Sequence, residues 1–290
     1  MYHDRMLRTL VSTEQLAAHL DDPAWAVVDC RFDLANVVWG QEQYRAGHIP
    51  GAVYASLATD LSADPTGGGG RHPLPSPDAM ARTFGGWGIG AGTQVVCYDQ
   101  DTGMYAARLW WMLRYLGHDD VALLDGGFAK WTREARPVRS GTEFRAARVF
   151  AGQPREAMRR TLADVQARIG DPGAVLIDAR AAERYEGVTE TLDRVAGHIP
   201  GARNRFFKKN VAADGTFLPP EALREEFGKV LRGTPSEQAT MYCGSGVTAC
   251  HNLLAMEHAG LKSSPLFVGS WSEWSSDPRR PIEKGPETPS

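Results

Sequence analysis

The 290-residue sequence has only four cysteines, and they are widely spaced: Cys30, Cys97, Cys243 and Cys250. So few scattered thiols do not make a disulfide framework, and no CxxC pair or His/Cys cluster at zinc-binding spacing is present. We therefore expect four reduced thiols and no metal site. A cysteine that matters for function is then expected to act as a thiol.

Long apolar runs and an excess of either charge are also missing. No run approaches the roughly 18–20 residues of a membrane-spanning helix, and the first residues lack the apolar stretch and cleavage site of a signal peptide. The formal net charge of −3 argues against nucleic acid or an anionic membrane as the main partner. We predict a cytoplasmic protein that binds neither nucleic acid nor membranes.

The most informative feature that is present is an internal repeat. Ala-Gly-His-Ile-Pro-Gly-Ala occurs at 46–52 and again at 196–202. An apolar run ending in Asp precedes each copy, and the segments "LLDGGFAKW" and "LFVGSWSEW" follow them in the same order. A repeat of domain length predicts two similar domains. Because apolar strand patterns alternate with helical ones, each domain is predicted to be α/β, with a doubly wound parallel sheet flanked by helices.

Domain limits follow from where these patterns begin and fade. We place the first domain at 7–137, a linker at 138–160 and the second domain at 161–284. The linker lacks clear periodicity and carries many arginines. The tail at 275–290, "SSDPRRPIEKGPETPS", is rich in Pro, Ser and charge, which is typical of a loose chain end.

One loop differs between the copies at a decisive position. After the same apolar strand pattern, the first copy has Asp99 where the second has Cys243, and Gly103 aligns with Gly246. Ligands of parallel sheets bind beyond the carboxyl ends of the strands, which is where both residues are expected. A carboxylate cannot carry transferable sulfur, so the first domain is predicted to be catalytically silent.

The loop after Cys243 is suited to holding an anion. Its two glycines allow a tight curve that points backbone N–H groups inward, and the following helix start adds partial positive charge. Such a loop favours a thiolate or a persulfide over an inert buried thiol. A Cys-x5-Arg phosphatase is disfavoured, because the position of its arginine is held by Ala249.

The sequence as a whole resembles the tandem-domain sulfurtransferases, which include rhodanese and 3-mercaptopyruvate sulfurtransferase. The resemblance rests on the repeated "AGHIPGA", on "DGG…KW" and "GSWSEW", and above all on "CGSGVTA". It covers nearly all of residues 7–280. It implies two tandem rhodanese-like domains, a persulfide on Cys243 in the second, and no metal or organic cofactor.

The resemblance also bears on donor and acceptor. Gly244-Ser245 is similar to the enzymes that use 3-mercaptopyruvate, whereas thiosulfate enzymes tend to have basic residues there. Arg184 and Arg194 match the arginines that hold the donor carboxylate. The other substrate-binding residues implied are those of the loop: Gly244, Gly246, Val247 and Thr248. The expected partners are a small-molecule sulfur donor and an acceptor that is cyanide or a thiol such as thioredoxin or glutathione.

Two alternative functions stay open on the sequence. One is a thiosulfate sulfurtransferase (rhodanese) that uses the same cysteine. The other is a non-enzymatic carrier, in which the persulfide forms elsewhere and is relayed to a partner protein.

A proton relay of the Ser-His-Asp type is a further implication of the resemblance. Ser245 matches the serine and His72, in "GRHPLP", matches the histidine, so both are candidate catalytic residues beside the cysteine. The aspartate position falls on Ala58, with Asp60 close by. Either Asp60 substitutes for it, or no such relay operates.

Other polar residues that recur in both copies are given structural roles. His48 and His198 are expected to fix the turn after a helix, since the first copy has no nucleophile. Asp29 and Asp178 are expected to bond to neighbouring backbone. Cys250 is interpreted as a small apolar residue on a buried helix face, with a resolving thiol as the alternative.

Overall fold

The computed structural model describes residues 6–287. Its first half contains a five-stranded parallel sheet in the order β1-β5-β4-β2-β3, with these strands: β1 (Leu10–Val11), β2 (Trp25–Asp29), β3 (Val53–Tyr54), β4 (Gln94–Tyr98) and β5 (Val121–Leu124). The flanking helices are α1 (Thr13–Ala18), α2 (Trp39–Ala46), α3 (Pro77–Gly86), α4 (Ala106–Tyr115) and α5 (Gly127–Arg133). A short 3-10 turn covers Pro65–Gly67.

The second half repeats this arrangement in the order β6-β10-β9-β7-β8. Its strands are β6 (Arg159–Arg160), β7 (Val175–Asp178), β8 (Arg203–Asn204), β9 (Ala239–Tyr242) and β10 (Leu266–Phe267). Its helices are α6 (Leu162–Gln166), α7 (Ala182–Tyr185), α8 (Pro220–Leu231), α9 (Ala249–His258) and α10 (Ser270–Trp274). Short 3-10 turns cover Glu156–Met158, Phe207–Asn210 and Ser236–Gln238.

The matching strand orders confirm the predicted duplication and the doubly wound parallel sheet. Every residue of β4 and of β9 is buried, as expected for central strands covered by helices on both faces. The apolar runs that end in Asp are β2 and β7, which lie next to these central strands. Both strands therefore end at the edge of the sheet where the β4 and β9 loops begin.

The two halves do not separate cleanly along the chain. One compact unit comprises residues up to Ala63, Pro75–Arg155 and Val211–Phe217. The other comprises Asp64–Leu74, Glu156–Asn210 and the residues from Leu218 onward. Because both units are discontinuous in sequence, the limits 7–137, 138–160 and 161–284 stay a prediction.

A buried ion pair lies at the end of β2, and a second one lies at the end of β7. Arg31 Nη2 lies 2.6 Å from Asp29 Oδ2, and Arg180 Nη2 lies 2.6 Å from Asp178 Oδ2. The backbone N–H groups of both arginines also donate to these carboxylates, at 3.0 and 2.9 Å. The predicted bonds from Asp29 and Asp178 to neighbouring backbone are therefore confirmed. The hydroxyl of Tyr98 adds a further donor to Asp29 Oδ2, at 2.7 Å.

The recurring histidines have the structural role that was predicted. His48 Nδ1 lies 2.8 Å from the carbonyl oxygen of Tyr44, and His198 Nδ1 lies 2.7 Å from that of Tyr185. Each imidazole also stacks on the ring of the same tyrosine. The pair joins the helix end to the "AGHIPG" turn in both copies.

The prediction of a loose tail is wrong for the part that the structure describes. Trp274 Nε1 donates to the Pro281 carbonyl at 2.9 Å, and Glu283 forms a two-way backbone pair with His198. The Glu287 carboxylate then accepts the backbone N–H of Asn204 at 2.6 Å. These bonds hold the Pro- and charge-rich segment against the repeated turn, and only 288–290 of the predicted loose end lie outside the described residues.

No helix within residues 6–287 is both long enough and apolar enough to cross a membrane.

We expect Tyr98→Phe to lower the free energy of unfolding by about 1–3 kcal/mol, because two buried polar groups lose a partner. The hydroxyl donates to Asp29 and accepts the backbone N–H of Ile49 at 3.2 Å. Urea denaturation measures the change. The matched control is Tyr54→Phe, whose half-buried hydroxyl makes one bond to the Arg31 carbonyl at 3.2 Å. Equal losses in the two variants would contradict the structural role given to Tyr98.

Candidate active site

Cys243 directly follows β9, at the carboxyl end of the sheet. Its backbone N–H donates to Ser270 Oγ at 3.1 Å, and its carbonyl accepts the N–H of Trp271 at 3.0 Å. The next carbonyl, that of Gly244, accepts the N–H of Ser272 at 2.9 Å. The start of α10 therefore holds the backbone of both Cys243 and Gly244. The Cys243 side chain is only 2% exposed.

The loop curls around the sulfur. The backbone N–H of Gly246 donates to Cys243 Sγ at 3.2 Å. Gly246 has a φ of 75°. This is the left-handed region, in which a residue with a side chain is strained, so the turn of the loop depends on glycine here. The helix α9 begins three residues later, so its partly positive N-terminus faces the same loop.

The corresponding loop of the first copy holds a carboxylate in the same way. Asp99 accepts the backbone N–H groups of Gly103 and Tyr105 at 2.8 Å each, of Ala106 at 3.2 Å and of Asp101 at 3.3 Å. Burial raises the pKa of Asp99 to about 6, and the amide donors oppose that rise. In both copies, backbone amides of this loop thus point at the side chain that ends the strand: four at Asp99, and that of Gly246 at Cys243.

The structure brings two further predicted residues together. His72 Nδ1 lies 2.8 Å from Ser245 Oγ, across 173 positions of sequence, and both side chains are buried. Asp60, the candidate third member, accepts the backbone N–H of Ser56 at 2.8 Å. Together with Ala58 it lines a cavity of about 640 Å³ whose walls belong to the first unit. The relay through Asp60 stays a prediction.

The two predicted arginines are placed differently. A Cβ built on Gly244 would lie 3.5–3.6 Å from the terminal nitrogens of Arg184, so this guanidinium faces the loop. Its Nη2 also lies 2.8 Å from Glu190 Oε1 and 3.1 Å from Asp193 Oδ2. Arg194 is exposed to solvent, and its role at the donor site stays a prediction.

Sequence reasoning missed Arg71. Its Nη2 lies 3.1 Å from a Cβ built on Gly244, closer than Arg184, and its Nη1 pairs with Asp193. Its backbone N–H donates to Ser272 Oγ at 3.0 Å. The only available signal was its position directly before His72 in "GRHPLP", the stretch already singled out for the histidine.

The remaining predicted residues lie in the loop and at the start of α9. Cys250 is fully buried on α9, as predicted for a small apolar position, and its Sγ lies 3.4 Å from the carbonyl oxygen of Gly246. Val247 and Thr248 complete the loop between Gly246 and the helix. Within the described part of the chain, no group of three or more His, Cys, Asp and Glu side chains is placed to hold a metal ion.

Comparisons with known proteins agree with this arrangement. Residues 12–134 and 161–277 each match the family model of the rhodanese-like domain. The chain is 47% identical over 278 residues to a probable 3-mercaptopyruvate sulfurtransferase of Pseudomonas aeruginosa, which covers 95% of this chain and 98% of that one. It is 38% identical over 291 residues to a putative thiosulfate sulfurtransferase of Mycobacterium tuberculosis, covering 96% and 98%.

A solved structure gives the same result for the fold. The 3-mercaptopyruvate sulfurtransferase from Leishmania major superposes with a TM-score of 0.83 at 30% identity, covering 92% of this chain and 74% of that one. The chain therefore belongs to the rhodanese family, with two tandem rhodanese-like domains, and is an enzyme of the sulfurtransferase class.

Proposed function

We propose that the enzyme moves sulfur from 3-mercaptopyruvate to a thiol or cyanide through a persulfide on Cys243. The observation that carries this proposal is the convergence of two arginine guanidiniums on Gly244, the residue next to the cradled thiol. A small donor with a carboxylate a few bonds from its sulfur suits that spacing. The names of the Pseudomonas and Leishmania relatives support the same donor.

In the first half-reaction the Cys243 thiolate attacks the donor sulfur. An S–S bond forms, the C–S bond breaks, and its electron pair leaves on carbon as the enolate of pyruvate. The enolate then takes a proton and departs as pyruvate. In the second half-reaction an acceptor thiolate, such as that of thioredoxin or glutathione, or cyanide attacks the outer sulfur. The S–S bond breaks and its electrons return to Cys243 as thiolate.

The Asp99 loop supports the proposed role of the amide cradle. There, one carboxylate oxygen binds the Gly103 amide and the other binds those of Tyr105 and Ala106. The counterparts of the last two amides in the second copy belong to Thr248 and Ala249. With Cys243 Sγ on the Gly246 amide, the outer sulfur of a persulfide would reach the remaining two, because backbone N–H groups aimed at one point stabilise an anion.

Arg71 and Arg184 are proposed to bind the donor carboxylate. A guanidinium presents its N–H groups in a planar fork that matches a carboxylate, and two such forks orient the donor as well as bind it. Both guanidiniums are partly exposed, at 27% and 21%, so an incoming anion can reach them. The donor sulfur would then lie towards Cys243.

Ser245 and His72 are proposed to manage the proton. Their hydrogen bond at 2.8 Å lets the hydroxyl donate to the leaving enolate while the imidazole replaces the proton, which is general acid catalysis. Asp60 remains the proposed third member. A cytoplasmic location also remains a prediction from the sequence.

A thiosulfate donor is the second candidate. The Mycobacterium relative carries that name, and the two guanidiniums beside Gly244 could also grip a doubly charged sulfonate-like group. The comparison of kcat/KM for the two donors decides between them.

We expect Cys243→Ser to abolish transfer, lowering kcat by at least about 1,000-fold, because the nucleophile itself is lost. Intact mass spectrometry after donor treatment should show one added sulfur atom on the wild type and none on the variant. Cys250→Ser is the control and should keep the adduct. An adduct that survives Cys243→Ser would refute the assignment.

We expect Arg71→Ala and Arg184→Ala each to raise KM for 3-mercaptopyruvate by about 10- to 100-fold, since a charge-assisted hydrogen bond contributes about 1.5–3 kcal/mol. Steady-state kinetics of pyruvate release measures this. Arg279→Ala, at a side chain that is 87% exposed, controls for loss of surface charge. An unchanged KM in both variants would remove these two residues from the donor site.

Ser270 offers a sharper test of the loop. Its φ is 53°, in the left-handed region, and its counterpart Gly127 has a φ of 58°. A side chain at this conformation is strained by roughly 1–2 kcal/mol. The second copy tolerates the strain at the residue whose hydroxyl accepts the Cys243 N–H at 3.1 Å and donates to the Phe267 carbonyl at 2.9 Å.

We expect Ser270→Gly to lower kcat by about 10-fold or more while the free energy of unfolding changes by less than about 1 kcal/mol, because released strain offsets the lost hydrogen bonds. Turnover and urea denaturation are measured on the same samples. Ser275→Ala, which removes a hydroxyl bonded to the Trp271 carbonyl at the end of the same helix, is the control. A fall in stability with unchanged kcat would mean that Ser270 stabilises the fold but does not position the loop for turnover.

A further inference from the structure

Asp193 occupies the place between the two arginines that face Gly244. Its Oδ1 pairs with Arg71 Nη1, and its Oδ2 lies 3.1 Å from Arg184 Nη2. Its side chain is only 5% exposed. One internal carboxylate thus bridges the two guanidiniums in the way that the proposed donor carboxylate would.

A second carboxylate completes the balance of charge. Glu190 lies 2.8 Å from Arg184 and 3.4 Å from Arg180, and its side chain is 3% exposed. Arg180 is already paired with Asp178 at 2.6 Å. The guanidiniums of Arg71 and Arg184 therefore face two carboxylates of their own chain, and the four charges sum to zero.

The two carboxylates differ in how firmly they are held as anions. Burial raises the pKa of Asp193 above its usual range, although Arg71 opposes that rise. Burial also acts to raise the pKa of Glu190, but hydrogen bonds from Arg184 and from the Leu192 backbone outweigh it and leave the pKa lowered. Glu190 is thus the more firmly anionic partner of Arg184, and Asp193 is the carboxylate that bridges both arginines and would repel an incoming anion.

We propose that Asp193 determines donor specificity: by cancelling one unit of arginine charge, it makes the site select a singly charged carboxylate donor over doubly charged thiosulfate. This inference rests on the proposed function of the site. Near neutral pH 3-mercaptopyruvate carries a single charge, on its carboxylate, because an ordinary thiol has a pKa of about 8.5. Coulomb energy scales with the charge of the ligand, so a fixed carboxylate disfavours a dianion twice as strongly as a monoanion.

The test is Asp193→Asn, which keeps the shape and one acceptor oxygen but removes the charge. At about 4 Å in a water-like medium, one unit charge corresponds to roughly a five-fold change in binding per donor charge. We expect kcat/KM to rise about five-fold for 3-mercaptopyruvate and about 25-fold for thiosulfate, mainly through KM. The ratio of the two should therefore move about five-fold towards thiosulfate, and less at high ionic strength.

Glu226→Gln is the matched control. It removes the same charge from a partly exposed side chain of α8 that pairs with Lys229, and should leave the ratio unchanged. If Asp193→Asn does not fold, as judged by circular dichroism, Asp193→Ser makes the same change of charge with a smaller side chain.

A merely positioning role gives a different result. If Asp193 only holds the arginines in place, its variant should lower kcat/KM for both donors by the same factor, and that outcome overturns the inference. A shift of the ratio towards 3-mercaptopyruvate, or no shift, also overturns it. A wild-type enzyme that prefers thiosulfate would refute the proposed donor instead, because the inference concerns the change in the ratio between variant and wild type.

Discussion

A buried Asp–Arg ion pair at the end of β2, repeated at the end of β7, is the interaction on which both sheets depend. In the second copy, Asp178 holds the side chain and the backbone N–H of Arg180. Arg180 in turn donates to the Gly197 carbonyl at 2.7 Å, inside the repeated turn, and reaches Glu190. Removing one partner of such a pair leaves a buried charge uncompensated, which destabilises by about 3–5 kcal/mol. The pair therefore joins the end of the strand, the repeated turn and the Glu190–Arg184 ion pair into one network.

The same network is present in the first copy, which has no cysteine at the position of Cys243. Asp29 and Arg31 repeat the pair, and Arg31 donates to the Gly47 carbonyl at 2.6 Å. The copies diverge instead at residues that contact the cradle. Asp99 stands in place of Cys243, and Gly127 stands in place of Ser270. The left-handed backbone at the last position suits glycine, so the serine of the second copy is tolerated for what its hydroxyl holds.

Sequence patterns predicted the parts of the molecule that depend on local order. Continuous apolar runs ending in Asp predicted the parallel sheet, because strands buried on both faces need apolar residues at every position. Aligning the two copies singled out Cys243, because it replaces Asp99 within an otherwise similar strand, loop and helix. The predicted pairing of Ser245 with His72 came from the resemblance rather than from periodicity, and the structure places them in contact.

Arg71 and Asp193 show where such prediction ends. Arg71 belongs to Asp64–Leu74. This segment lies within the predicted first domain at 7–137, but in the structure it is part of the second compact unit. Periodicity and repeat alignment carry no information on a contact between residues 122 positions apart. An acidic residue in a loop is usually a solvated surface charge, so nothing in the sequence singled out Asp193. The tail was misread for the same reason, because the bonds of Glu283 and Glu287 are to residues far away in sequence.

The loop offers the Cys243 sulfur a backbone amide, that of Gly246, rather than a cation. Four amides contact Asp99, yet burial still raises the pKa of this carboxylate to about 6. The amides thus offset only part of the free energy that a compact anion loses on leaving water. A sulfur anion is larger, and the Born penalty of desolvation falls with ionic size. By size alone, the same frame therefore suits a sulfur anion better than a carboxylate, and in the proposed function Arg71 and Arg184 bind the donor instead of the sulfur.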